Sequence, residues 1–214
     1  MFIPRHPVVE NQFCSYEAQT GDITGVGGVI AYAGAVVKLN SAATNQEAIV
    51  SKMAHGDTGI LPFGFSMQKV KTGYHQVHPA GFVMPGDLGS SDVIAQPSYS
   101  SGAINGTKEA PVGVAHLGIW DTVHYTAEGT GGGASTPTVP SAAVLPGAAL
   151  RVAADEAKVT NDVSNGSDAT DYDGEFITGV TTNVARVVKG ASVAKATANI
   201  ANTTLYPIRI KLLI

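Results

Sequence analysis

The sequence is poor in charge, cysteine and aromatic residues. Asp, Glu, Lys and Arg together make up 14% of its 214 residues, whereas a typical soluble domain contains about 25%. Cys14 is the one cysteine, which excludes a disulfide within the chain. A weakly charged surface resists association poorly, so the composition indicates a protein whose surface is covered by partners.

Long apolar runs and clusters of basic residues are also missing. The longest uncharged apolar stretch, residues 23–37, is rich in glycine and shorter than the ~20 residues of a bilayer span. Arg5, His6 and Glu10 interrupt any signal-peptide core, which predicts synthesis in the cytoplasm and no membrane segment. The net charge is −4 and the lysines and arginines are scattered, so no nucleic-acid partner is expected.

The pattern along the chain predicts a mainly β fold preceded by an extended arm. Pro4 and Pro7 prevent a helix in residues 1–22, which are therefore assigned to the arm. Residues 23–214 are assigned to a β domain, a barrel or sandwich of short antiparallel strands. Its Gly/Pro/Ser-rich loops include a long insertion at about 79–111 and a flexible loop at 128–142.

Alternating and β-branched residues locate the strands of this domain. Strand character occupies four stretches, at residues 25–39, 61–74, 112–125 and 203–214. A single short helix is predicted from Thr44 to His55, because Thr44 and Glu47 form a capping box and Gly56 can end the helix. The terminal strand alternates like a paired or central strand of the protein's own sheet.

Two segments suggest an internal duplication. The sequence Gly-Ala-Val-Val-Lys-Leu at 34–39 is similar in size and charge pattern to Gly-Ala-Ala-Leu-Arg-Val at 147–152. Further along, Gly64 with residues 69–71 is similar to Gly179 with residues 186–189. The hypothesis is that two similar β units close one barrel or sandwich.

Sequence patterns typical of enzymes occur in the wrong structural context. Ser66 and Lys69 match the Ser-x-x-Lys of penicillin-interacting enzymes, and residues 71–73 match their Lys-Thr-Gly. In those enzymes the two motifs face each other from a helix and a distant strand, whereas here they adjoin on one predicted strand. No nucleophile, base and orienting residue can be named, so the protein is predicted not to be an enzyme.

Metal and cofactor motifs are incomplete. His75 and His78 have no further ligands nearby, and His116 and His124 are expected to be far apart along a strand. The acidic segment 168–175 has part of the spacing of a calcium loop but lacks its final glutamate, so it is interpreted as a solvated turn. Neither a metal nor a cofactor is expected.

Several segments resemble head decoration (capsid cement) proteins of tailed bacteriophages. These are Gly-Ala-Val-Val-Lys-Leu at 34–39, Pro-Phe-Gly-Phe-Ser at 62–66, Leu-Pro-Gly-Ala-Ala-Leu-Arg-Val at 145–152, and Ala-Arg-Val-Val-Lys at 185–189 with the terminal strand. The resemblance covers residues 25–75 and 142–214. It implies a structural virion protein that binds the outside of a capsid and bridges neighbouring subunits. Its partners would be the major capsid protein and further copies of itself, in a homo-oligomer or ordered array.

The resemblance also implies an extended arm that contacts a neighbour, and residues 1–14 fit this role. Strand addition would give affinity through backbone hydrogen bonds. The candidate contact residues are Phe2, Ile3, Pro4, Arg5, Val8, Val9 and Phe13. Two alternatives stay open: a phage tail-tube or fibre subunit, and an extracellular β-sandwich adhesin or carbohydrate-binding module.

Overall fold

The fold is mainly β, as the sequence predicts. The computed structural model describes residues 2–5, 10–16, 29–40, 48–53, 57, 60–72, 92–95, 97–98, 105–107, 110–127, 129–130, 139–153, 157–161 and 183–214. The first strands are β1 (Phe2–Pro4), β2 (Glu10–Tyr16), β3 (Val29–Ala31), β4 (Val36–Leu39), β5 (Ile49–Lys52), β6 (Gly64–Ser66), β7 (Lys69–Thr72), β8 (Asp92–Ala95), β9 (Pro97–Ser98) and β10 (Asn105–Thr107). The later elements are β11 (Ala110–Leu117), β12 (Ile119–Thr122), β13 (Gly129–Thr130), β14 (Val139–Pro140), β15 (Ala149–Val152), β16 (Val159–Thr160), β17 (Ala185–Lys189), helix α1 (Val193–Ile200) and β18 (Ile208–Leu212).

Two β assemblies follow each other along the chain. The first is a closed barrel in the order β11-β2-β5-β4-β6, and the second is a six-stranded sheet in the order β1-β12-β18-β17-β15-β16. Small additional sheets are formed by β3-β7-β8, by β9 with β10, and by β13 with β14. The last strand of the barrel, β11, is separated from the first long strand of the sheet, β12, by Gly118 alone.

The barrel and the sheet contain the same five-stranded unit. We call β2, β4, β5, β6 and β11 the first repeat, and β12, β15, β16, β17 and β18 the second repeat. In each repeat the fifth strand in sequence pairs with the first and the fourth, and the second strand lies between the fourth and the third. Every one of these shared pairings is antiparallel. The predicted duplication is therefore confirmed at the level of strand order, but the two units do not close one barrel together, because the first repeat closes a barrel by itself.

Hydrogen bonds show that the two repeats also share their register. The amide of Gly34 donates to the carbonyl of Ser66, and the amide of Gly147 donates to that of Val187, both at 2.8 Å. Three further pairs of bonds match in the same way. They are Ser66 N to Ala35 O with Val187 N to Ala148 O, Phe63 N to Val37 O with Val184 N to Leu150 O, and Asn40 N to Ile49 O with Ala153 N to Lys158 O.

Each repeat enters its second strand through the same turn. The amide of Ala35 donates to the carbonyl of Tyr32 at 3.0 Å, and the amide of Ala148 donates to that of Leu145 at 3.1 Å. The third residue of the turn is Gly34 with φ +97° or Gly147 with φ +88°. A type II turn needs positive φ at this position, which glycine adopts without steric cost.

The first and third strands of each repeat approach each other in parallel. In the first repeat, Tyr16 lies beside Val50 in the parallel β2–β5 pair and closes the barrel. In the second repeat a single parallel bridge joins Tyr125 to Val159, and the amide of Thr126 donates to the carbonyl of Val159 at 2.9 Å. Both repeats therefore curl in the same direction, although only the first forms a complete ladder.

An aromatic stack connects the two repeats. The Phe2 ring lies 4.5 Å from the Trp120 ring at an interplanar angle of 7°, and 5.8 Å from the Phe65 ring. Trp120 and Phe65 are completely buried, and burying a side chain of this kind stabilises the fold by roughly 1.5–3 kcal/mol. The amide of Val36 also donates to the carbonyl of Ala157 across the two repeats.

The position of the helix is a correction. Within the predicted helix Thr44–His55, residues 49–52 form strand β5, and residues 44–47 and 54–56 lie outside the described residues. Pairing with β2 and β4 on both sides decides the conformation of this segment, since β-branched Ile49 and Val50 suit a strand. The helix of the described chain is α1, which follows Ser192 at its N-cap and was not predicted.

Other predicted segments are placed as follows. The terminal strand is confirmed, because β18 lies between β12 and β17 in the middle of the sheet. The described parts of the predicted arm are extended, but β1 and β2 both pair within the chain. The predicted 79–111 insertion contains β8, β9 and β10, and the predicted 128–142 loop contains the β13–β14 pair. The second half of the duplication was misaligned, because β17 corresponds to β6, whereas residues 69–71 lie in β7.

Candidate docking face

The outer face of the second repeat is covered with basic side chains. On β18, Ile208, Ile210 and Leu212 are completely buried, whereas Arg209 and Lys211 alternate with them and point the other way. On β17, Val187 is buried and Arg186 is exposed. The inner face of this repeat is therefore apolar core, and the outer face is polar.

Strand register brings the basic residues of four segments together. Arg186 pairs directly with Lys211, and Lys189 pairs directly with Arg209 across a bulge in β17. Arg151 lies two residues beyond Ala149, the partner of Arg186 on β15. At the other edge the amide of Arg5 donates to the carbonyl of Ile119. We call the set Arg5, Arg151, Arg186, Lys189, Arg209 and Lys211 the basic face.

The basic face has a charge opposite to that of the chain. It contains six of the 13 Lys and Arg residues, and Asp121 is the acidic residue that the described structure places among them. Its formal charge is therefore +5 in a chain of −4. The remaining seven basic and 16 acidic residues carry −9. Tertiary structure thus brings together cations that the sequence disperses.

Asp121 holds two of the arginines in fixed positions. Its carboxylate accepts hydrogen bonds from Arg209 Nε at 2.8 Å and from Arg5 Nε at 2.7 Å. The Asp121 side chain is 8% exposed, whereas those of Arg5 and Arg209 are 45% and 36% exposed. The hydrogen bond from Arg209, followed by that from Arg5, lowers the pKa of Asp121 despite its burial. This acid therefore stays ionised and orients both guanidinium groups.

Three other cations of the basic face stand opposite like charges. Arg186 faces Lys211 on the neighbouring strand, and among the described residues no ion pair is formed by Arg186, Lys189 or Lys211. Like charges directly opposite each other destabilise a sheet. The fold itself thus gains nothing from this arrangement.

Three equivalent positions of the first repeat are apolar and buried. By register, Phe65 corresponds to Arg186, Val36 to Ala149, and Ala115 to Lys211. Phe65, Val36 and Ala115 are completely buried, and Phe65 meets Phe2 of the β1–β12 edge. This part of the outer face of the first repeat is therefore covered within the chain, whereas Arg186 and Lys211 on the second repeat are exposed.

The predicted contact residues differ in burial and in their contacts within the structure. Phe2 is 8% exposed and belongs to the core, Ile3 is half-buried, Pro4 is exposed, and Arg5 is held by Asp121. Phe13 is 73% exposed on the outer face of β2. Val8 and Val9 lie outside the described residues. That the candidate residues contact a partner stays a prediction. Among the candidates that the structure describes, Phe13 is the most exposed apolar side chain.

The motifs considered for catalysis do not form a site in the described chain. Ser66 is completely buried, and its hydroxyl donates to the carbonyl of Gln68 at 2.7 Å. His116 Nδ1 is 2.9 Å from the carbonyl of Phe63, and its ring meets the Phe63 ring edge to face. His124 is buried against Tyr32.

The incomplete metal motifs of the sequence fall partly beyond the region that the structure describes. His75, His78 and the acidic segment 168–175 are outside it. Within the described ranges, no three His, Cys, Asp or Glu side chains are grouped so that they could hold a metal ion. No helix in these ranges is long and apolar enough to cross a membrane.

The sequence does not reveal the basic face, because its cations lie on strands that are separated in the chain. The alternation Ile-Arg-Ile-Lys-Leu at 208–212 does predict that Arg209 and Lys211 share one face. It does not predict that β17 and its cations lie beside β18. That pairing joins residues about 25 positions apart in the sequence.

Comparison with known proteins adds no family. No protein-family model matches the chain, and no curated protein matches it significantly. The candidate docking face therefore stands on its geometry and charge.

Proposed function

We propose that the chain is a structural virion protein that binds the outside of a bacteriophage capsid and bridges neighbouring capsid subunits. The observation that carries the proposal is the tandem repeat. Two of the segments that resemble decoration proteins, 34–39 and 145–152, occupy the same turn and second strand in the two repeats. Both repeats thus contain a segment that resembles decoration proteins, and this supports the proposal.

The connection between the repeats supports a mechanical role. The Phe2–Trp120–Phe65 stack and the bond from Val36 to Ala157 join the repeats through buried contacts. Force applied to one repeat is therefore transmitted through packed side chains to the other. Many weak contacts per molecule, multiplied by simultaneous engagement of several capsid subunits, would stabilise a shell.

Shell binding tests this proposal directly. Purified protein is mixed with capsid shells of the encoding phage that lack it, and the shells are imaged by cryo-electron microscopy. We expect extra density at repeated outer positions and a higher temperature of shell disruption. Density confined to the tail would replace the proposal by a tail subunit, and glycan binding by the isolated chain without shell binding would favour an adhesin.

The same assay tests the predicted arm with a point substitution. Deletion of residues 1–14 would remove β1 and most of β2, so that loss of binding could reflect unfolding. Phe13→Ser changes an exposed side chain and leaves both strands intact. Lower occupancy of this variant would support an arm contact, and unchanged occupancy would remove Phe13 from the contact set.

A further inference from the structure

Apart from Arg5, the basic face lies outside the set of predicted contact residues. Its positive charge indicates the kind of partner that it can bind. Three of its cations, Arg186, Lys189 and Lys211, stand next to like charges on neighbouring strands. A ligand with several carboxylates would relieve this repulsion and form charge-assisted hydrogen bonds with them. Arg5 and Arg209 are already oriented by Asp121, so less side-chain entropy is lost when they bind.

We infer that the basic face is a docking surface for an acidic protein surface. This inference rests on the proposed function, in which that surface belongs to the capsid. Ile3 and Ile119 lie half-buried among the cations, and a protein partner covers aliphatic side chains of this kind together with charges.

The charge distribution favours a compact acidic patch over a nucleic acid. The chain as a whole carries a formal net charge of −4, although the cations of the basic face are included in it. A long polyanion that extends past the face would be repelled by this charge, whereas an acidic patch of limited size would not. The described face also carries no aromatic side chain on which a base could stack.

Binding of poly-L-glutamate tests the inference without a capsid. A fluorescent 20-residue peptide is titrated with the protein in 25, 100 and 300 mM NaCl, and its anisotropy is measured. We expect binding that weakens as salt increases. Arg186→Glu and Lys211→Glu should each weaken it at least tenfold at 25 mM. Lys195→Glu, which makes the same charge change on helix α1, should change it less than threefold.

These variants are expected to keep the fold. Glutamate at 186 would face Lys211, and glutamate at 211 would face Arg186, so each variant replaces a like-charge pair by an ion pair. Thermal unfolding at the same salt concentration should show equal or higher stability than the wild-type chain.

Other outcomes would overturn the inference. Equal weakening by all three substitutions would show a non-specific charge effect. If a 20-base-pair DNA duplex, or vesicles containing phosphatidylserine, bound more tightly than poly-L-glutamate, the inferred partner would be a nucleic acid or a membrane and not an acidic protein. Loss of shell binding with intact poly-L-glutamate binding would contradict the proposed function alone. Shell binding that is unaffected by Arg186→Glu would contradict the docking face alone.

Discussion

The two repeats share a backbone and differ in what covers their outer faces. In the first repeat, Val36 and Phe65 are completely buried under the Phe2 edge of the sheet. In the second repeat, the equivalent Ala149 and Arg186 belong to a polar face that the rest of the described chain leaves open. The same strand order thus supports an internal interface in one copy and a candidate external interface in the other. Side-chain chemistry separates the two roles.

The largest expected effect comes from truncating equivalent outer positions. Phe65→Ala should destabilise the protein by about 3–5 kcal/mol, because it leaves a cavity in the aromatic stack. Arg186→Ala, at the matching position of the second repeat, should change stability by no more than about 0.5 kcal/mol. Urea denaturation at pH 7 measures both. Similar losses in the two variants would contradict the assignment of one face as buried and the other as open.

Alanine substitutions of the two turn glycines should cause smaller stability losses than Phe65→Ala, and the two losses should differ from each other. Alanine at Gly147 meets no atom within 4 Å, so Gly147→Ala should cost only the strain of positive φ, about 1 kcal/mol. Alanine at Gly34 would also place its Cβ 2.8 Å from Thr122 Oγ1, and the added displacement should raise the cost to roughly 2–3 kcal/mol. Thermal unfolding monitored by circular dichroism would show the order, and a reversed order would contradict the packing of Gly34 against the second repeat.

Asp121 provides an effect smaller than that of Phe65, and one that depends on pH. Asp121→Asn should cost about 1–2 kcal/mol at pH 7, since charged hydrogen bonds contribute modestly where solvent screens the arginines. The folded-state pKa of Asp121 is lowered, so its contribution is present above the usual carboxyl pKa and is lost as pH falls through the lower value.

Stability curves from pH 7 to pH 2 test this linkage. The difference between the wild-type chain and Asp121→Asn should shrink below about pH 4, where Asp121 in the unfolded chain begins to be protonated, and should be lost as pH falls through the lower folded-state pKa. Phe13→Asn is the matched control, because Phe13 occupies the equivalent position of the first repeat and is exposed. It should shift stability by no more than about 0.5 kcal/mol at every pH. A stability difference between the wild-type chain and Asp121→Asn that stays constant with pH would show that the ion pairs of Asp121 do not cause it.

Local patterns determined the β class, the terminal strand and half of the duplication. Alternation in 208–212 and the Gly-Ala start of 34–39 and 147–152 depend on residues close together in the chain, so they are visible in the sequence. The helix prediction at 44–55 failed for the opposite reason. Its capping pattern is local, but pairing of Ile49–Lys52 with two distant strands outweighs helix propensity.

The sequence by itself therefore determined a charge-poor β protein with a repeated turn and strand. Only the tertiary structure decided which faces are covered, because cross-strand pairing joins residues that are far apart in the chain. It placed Phe2 in the core beside Trp120, and it gathered the dispersed Arg5, Arg186 and Lys211 onto one sheet. The low overall charge of the chain is thus compatible with a basic face, because strand register brings together cations that are far apart in the sequence.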